Sequence, residues 1–341
     1  MSAHTLLCSR PKQSPSTASH SRTPSGVRES PGSSLAAKDW RFIRCNSNGT
    51  GIALHYPVVD LALLGEFLLR ARNADGGWGY QPGKASRLEP TCWASLALGK
   101  TPERRVLEQW PCAEGLLLER DSGTSNYAFH AQALIALRAL NLEHAAGNRT
   151  LLGALQRVKG TPLPPSTINR QDNSLQAWSW IDGTFSWVEP TAWSLLALKQ
   201  WSASRDAVTD RTRIVVAEQM LVDRCCAKGG WNYGNANMLG QELKPFVPTT
   251  AIALLSLQDR QSLPEVARSV AFLEREATGE RSGTALALTL MALRAYGRST
   301  DALRQILLAQ LPTTLNLGKV TSVAMSLYAL GERDRHAAAA L

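Results

Sequence analysis

Two stretches, a hundred residues apart, decide how this chain folds: LEPTCWASLAL, Leu88–Leu98, and VEPTAWSLLAL, Val188–Leu198. Glu-Pro-Thr-x-Trp followed by Leu-Ala-Leu is too long a match for chance, so it marks an internal repeat. Each copy reads as a helix. Its Pro falls in the first turn, where the missing N–H has no helical partner. The rest is small and apolar all round, and a helix of that kind must be buried all round. Weaker copies start at Thr249 (ALLSL), Thr284 (TLMAL) and Thr321 (SLYAL), and Asn126 and Tyr127 open the odd member, AFHAQALIALRAL.

These segments predict six inner helices, at about 90–99, 125–140, 190–199, 248–257, 283–296 and 320–330. Between them lie amphipathic, charge-bearing stretches, at about 58–72, 102–119, 148–158, 208–224, 262–276 and 299–310, with the spacing of outer helices. Six hairpins close most economically as an all-α (α/α)6 toroid, with an open solenoid as the rival. The domain plan is a Ser/Pro/Arg-rich tail at 1–40, a lead-in at 41–57, the toroid at 58–331 and a C-terminal tail at 332–341.

The chain has 341 residues and a formal charge of +9, but part of that charge sits in the tail. The tail is too polar to offset its ordering entropy, so it is read as disordered. A transit peptide or a start assigned too early is left open. The remaining Lys and Arg are scattered among acids, so no nucleic-acid surface is expected. The six cysteines form no C-x-x-C pair. Buried thiols in a cytoplasmic protein are expected, with no membrane span and with peripheral membrane contact and a partner subunit left open.

The links leading into inner helices are long at about 73–89, 159–189 and 226–247, while the return links are short. Long loops in a compact domain are usually functional. These hold Gly and aromatics, so the site is expected at their rim, where the inner-helix N-termini also point.

Asp75–Tyr80 (DGGWGY), Asp182–Trp187 (DGTFSW) and Lys228–Gly234 (KGGWNYG) resemble the prenyltransferase and squalene oxidase repeat. That family includes the squalene and oxidosqualene cyclases, and its toroid is shared with protein prenyltransferase β subunits. The Gln that begins the family's Gln-x-x-x-Gly-x-Trp motif is replaced by Arg72, Ser179 and Cys225. The resemblance implies a central aromatic cavity that takes an isoprenoid or similar lipid. Aligned on the Thr of the cyclases' Asp-x-Asp-Asp-Thr run, Glu89 and Glu189 fall at the proton-donating Asp, and the flanking acids are replaced.

The bland reading of both glutamates is a helix-start device that caps free N–H groups. The chemical reading makes Glu189 and Glu89 the catalytic acids, with Trp93, Trp193, Tyr127, His130, Tyr80 and Tyr233 binding substrate. Trp78, Trp187 and Trp231 are expected to staple outer helices to inner ones. No cofactor is expected. Zinc on Cys92 and His130 is a minor alternative implied by the prenyltransferase likeness, and magnesium is another. Two further functions stay open: a non-catalytic toroid that binds a ligand or protein, and a carbohydrate-active barrel with paired carboxylates.

Overall fold

The computed structural model describes residues 61–99, 106–142, 146–202 and 209–331, all within one unit, His55–Leu341. The tails and the lead-in segment lie outside the described residues. Six inner helices are present: α2 (Leu88–Leu98), α3 (Tyr127–Ala139), α5 (Val188–Ser202), α7 (Val247–Ser256), α9 (Gly283–Ala295) and α11 (Val320–Leu330). Each packs on the next, and α11 packs back on α2, so the ring is closed. The described outer helices are α1 (Leu61–Arg70), α4 (Ala146–Arg157), α6 (Arg211–Asp223), α8 (Pro264–Glu276) and α10 (Asp301–Leu317).

The two layers differ as their sequences require. Outer α8 buries Val266, Ser269, Val270, Phe272 and Leu273, one stripe at helical spacing. Inner α2 buries every residue from Pro90 to Ala97. Deep burial continues round the ring: His130–Leu137, Pro190–Leu198, Thr249–Ser256 and Ala285–Leu293 are all buried. The barrel is therefore packed below its first turn.

The outer helix expected at 102–119 is not formed over its described part. Residues 106–110 turn, and an antiparallel hairpin follows, β1 (Cys112–Ala113) paired with β2 (Leu116–Leu117). Pro111 forces the residue before it out of helical geometry. Glu114 and Gly115, at φ 52° and 83°, make the tight turn between the strands. A second small hairpin, β3 (Asn237–Met238) with β4 (Gln241–Glu242), rises from the loop before α7.

The long loops hold the layers together through one repeated device. Trp78, Trp178 and Trp231 are fully buried, and each indole N–H donates to a carbonyl of the preceding outer helix: Leu68 at 2.7 Å, Leu155 at 2.9 Å and Leu221 at 2.6 Å. Their amide N–H groups donate to Thr91, Thr191 and Thr250 of the following inner helix, at 3.0, 3.2 and 2.9 Å. Two residues on, a backbone carbonyl accepts from the first turn of another inner helix. Tyr80 receives Val320 N–H at 2.9 Å, Trp180 receives Tyr127 at 2.9 Å and Tyr233 receives Val188 at 3.0 Å.

Two sequence expectations change as a result. Trp178, not Trp187, is the second staple; Trp187 occupies the place of Arg87, where its N–H bonds the staple's carbonyl. In the fourth repeat the matching Thr is Thr250, not Thr249, so the position of Glu89 and Glu189 is taken by Pro248. Tertiary hydrogen bonds set this register, and the proline misleads by one residue.

Replacing Thr91, Thr191 or Thr250 by Val strands a buried tryptophan N–H, which costs about 1–3 kcal/mol. Urea denaturation is expected to show that loss in each variant, with Thr249→Val as the milder control because it leaves the bond intact.

Candidate functional site

Glu89 and Glu189 stand in the first turns of α2 and α5, at the long-loop rim. Both are half-buried, while the turns below them are closed. The surrounding protein desolvates both. Neither caps its helix: no backbone N–H donates to either carboxylate, and Arg87 provides no side-chain cap for α2.

The two carboxyl groups sense each other across the mouth. Burial, then the charge of Glu89, pushes Glu189 up to about 7. The indole N–H of Trp193, one turn deeper, pulls the other way, although no well-aligned hydrogen bond joins them. Burial also raises Glu89, opposed by the nearby Tyr80 hydroxyl and by the charge of Lys319. With those two aids Glu89 is better suited to carry charge, and Glu189 to carry the proton.

Below them lie Trp93 and Trp193, each 1% exposed, packed edge to face with ring centroids 5.9 Å apart. In both copies Glu and Trp are four residues apart and share one helix face. The repeated Glu-Pro-Thr-x-Trp therefore puts a carboxyl directly above an indole, twice. The two rings are buried against each other inside the barrel.

The remaining expected residues disperse. Tyr80 belongs to the site through Glu89. Tyr233 is 57% exposed on the rim, its ring tilted against Phe246 with centroids 5.0 Å apart. Tyr127 is buried at the α3 N-terminus, where it lines an open pocket of about 390 Å³ with Leu116, Leu118, Ile181 and Asp182.

His130 points away from the mouth. Its Nδ1 accepts from Leu117 N–H at 3.1 Å, so Nε2 carries the proton and donates to the Leu151 carbonyl at 3.0 Å. Burial holds it neutral, with its pKa down to about 4. With both nitrogens occupied by backbone it is a core residue, neither a substrate contact nor a zinc ligand. The Cys92 thiol is fully buried and pushed well above its usual range by burial and by Glu89. Among the described residues no group of three His, Cys, Asp or Glu could hold a metal ion.

Sequence reading missed several members of the site. Glu119, from the segment expected to be helical, is buried beside Arg87, its Oε2 accepting from Arg87 Nε at 2.7 Å. Arg87 also pairs with Asp121 and lies 6.0 Å from the Tyr80 ring centre. Half-buried Phe129 packs on Trp180 at 6.5 Å. Half-buried Thr284 and Ser322 share a hydrogen bond of 2.7 Å in the first turns of α9 and α11. The first-turn spacing of Thr284 and Ser322 was the available signal. Glu119 left none.

The closed ring of inner helices has solved counterparts. A protein from Actinoplanes superposes with a TM-score of 0.51 and 15% identity, over 80% of this chain and 98% of that one. Type II terpene cyclase MstE from Scytonema, in its apo form, superposes with a TM-score of 0.50 and 14% identity, over 82% and 97%. The fold is a terpenoid-cyclase-like toroid. At the sequence level no family model and no curated protein matches the chain. At these identities the toroid's likeness is one of fold alone. No helix of the toroid, among the described residues, is long and apolar enough to cross a membrane.

An acid whose pKa rises on folding favours the folded state only while protonated. The stability contributed by Glu189 is full below its ordinary 4.5 and is lost as pH rises through about 7. Chemical denaturation across that window is expected to show a fall that Glu189→Gln flattens. Glu89→Gln removes the neighbouring charge, so the Glu189 carboxyl, followed by carbon-13 NMR, titrates below about 7.

Proposed function

We propose that this chain is a terpenoid-cyclase-like protein that takes an isoprenoid or similar apolar molecule at the barrel mouth and uses Glu189 as a general acid. One observation carries this reading: a carboxyl raised to about 7 and coupled to a second carboxylate sits one turn above two buried indoles. A raised carboxyl keeps its proton near neutral pH, which a proton donor needs. Its proton passes to a substrate double bond or epoxide oxygen. The π pair of the double bond takes the proton, or a lone pair of the epoxide oxygen does and the C–O bond then breaks with its electron pair going to oxygen; either way positive charge appears on carbon. The faces of nearby aromatic rings, Tyr80 and Phe129 at the mouth, attract such a charge. Burial raises Glu89 as well, but Tyr80 and Lys319 oppose that rise, so of the two it is the base suited to take a proton back and end the reaction.

The rim supports an apolar ligand. Leu239, Tyr233, Ile168 and Phe246 are 71, 57, 47 and 42% exposed, and Leu239 N–H bonds the Ile168 carbonyl, which joins two loops. A cytoplasmic protein that collects its substrate from a membrane surface fits this edge. The second reading is a toroid that binds without catalysis, favoured by the buried, mutually packed indoles beneath the glutamates.

Purified protein incubated with squalene, oxidosqualene and a polyprenyl diphosphate series, with and without Mg²⁺, is expected to yield a cyclic product by gas chromatography–mass spectrometry. Glu189→Gln abolishes it, and Glu89→Gln lowers it less. Absence of product from every substrate, with both variants folded, overturns the catalytic reading and leaves the binding toroid.

A further inference from the structure

The repeat that contains α3 is built unlike its neighbours. In the repeats before and after it, a staple tryptophan lies 13 residues ahead of the threonine that holds its amide: Trp78 ahead of Thr91, and Trp178 ahead of Thr191. At the same spacing of 13, Leu117 N–H donates to His130 Nδ1. A leucine therefore stands where an indole stands elsewhere, and it is carried by the hairpin that replaces the expected outer helix. Tyr127, three residues before His130, takes the place of Leu88 and Val188, which are fully buried. Here a pocket of about 390 Å³ opens between the hairpin, the start of α3 and the turn at Ile181 and Asp182. That is at the small end of ligand sites, which run from about 300 to 1,000 Å³. Neither Glu89, Glu189 nor Tyr80 lines it, so it is separate from the barrel mouth.

The lining is chemically selective. Leu116, Leu118 and Ile181 give an apolar wall. Asp182 and Glu114 bring carboxylates, and no lysine, arginine or histidine lines the pocket. Arg157 reaches the Glu114 carbonyl at 3.4 Å, outside the lining. Tyr127 is 6% exposed, yet no hydrogen bond reaches its hydroxyl among the described residues. Burial, and then the charge of Asp182, keeps the proton on that hydroxyl, so Asp182 stands close to it.

We propose that this pocket is a second ligand site, which takes a small organic amine in its ammonium form. An ammonium has N–H donors and no acceptor, which matches a lining whose polar groups are a carboxylate and an unbonded phenol oxygen. The Asp182 carboxylate accepts one N–H in a charge-assisted bond, and the Tyr127 oxygen accepts another. The alkyl body lies on Leu116, Leu118 and Ile181. Glu114 adds negative charge, and the two carboxylates together repel phosphates and carboxylic acids. The same repulsion keeps a prenyl diphosphate out of this pocket.

Isothermal titration calorimetry of the full chain near neutral pH tests this, with hexylamine, hexanol and hexanoate as probes of one length and three charges. Hexylamine is expected to bind about tenfold more tightly than hexanol, and hexanoate not at all. Asp182→Asn lowers hexylamine affinity about tenfold and leaves hexanol affinity as it was. Tyr127→Phe keeps the ring and removes the hydroxyl, and lowers hexylamine affinity about fivefold, the worth of one hydrogen bond. Both substitutions are near-isosteric, and neither polar group bonds another described residue, so the fold is retained. Hexylamine that fails to bind, that binds no better than hexanol, or that binds Asp182→Asn and Tyr127→Phe as it binds the wild type overturns the proposal. An affinity that falls in Glu189→Gln and holds in Asp182→Asn places the amine at the barrel mouth and overturns it too. None of these outcomes touches the isoprenoid reading, which concerns a different site.

Discussion

The bond on which the rest of the molecule depends is the indole N–H of a buried loop tryptophan reaching an outer-helix carbonyl. Trp78, Trp178 and Trp231 each make it. A helix end leaves carbonyls without partners, and a buried indole N–H needs an acceptor, so each need meets the other. The same residue's amide is then held by an inner-helix threonine, and a carbonyl two residues on holds a further inner helix. Three elements are tied at one point. The tie through Tyr80 to Val320 joins the first and last inner helices, and so closes the ring.

That closure creates the site. Glu89 and Glu189 belong to helices that are not neighbours in the ring, and only a closed ring aims both at one mouth. Once there, they interact through a poorly solvated space, where each charge raises the cost of the other. Tyr80 and Lys319 help Glu89 bear charge, and Glu189 has only an indole N–H. The asymmetry arises from the surroundings, since the two copies are alike at Glu, Pro, Thr and Trp.

Much of the architecture was legible because it rests on periodicity. Helices apolar on every side, alternating with striped ones, left few alternatives to two concentric layers. The misreadings have physical causes. Pro111 and the Glu114–Gly115 turn interrupt a stretch whose leucines otherwise suit a helix. Trp187 was taken for a staple because it follows a Gly loop, although the hydrogen bonds choose Trp178. His130 looked like a cavity residue by its place among aromatics, yet a helix has an outer side too, and there Leu117 and Leu151 saturate it.

By itself the sequence determined the helical class, the repeat, the rim that carries the long loops and the pairing of each glutamate with a tryptophan one turn on. Local spacing encodes all of these. Tertiary structure alone decided that the two indoles meet inside the barrel, that Glu119 and Arg87 stand beside the site, and that one glutamate differs from the other. Those facts depend on contacts between segments distant in the chain, and on solvent exclusion, which no single helix possesses until the ring has formed.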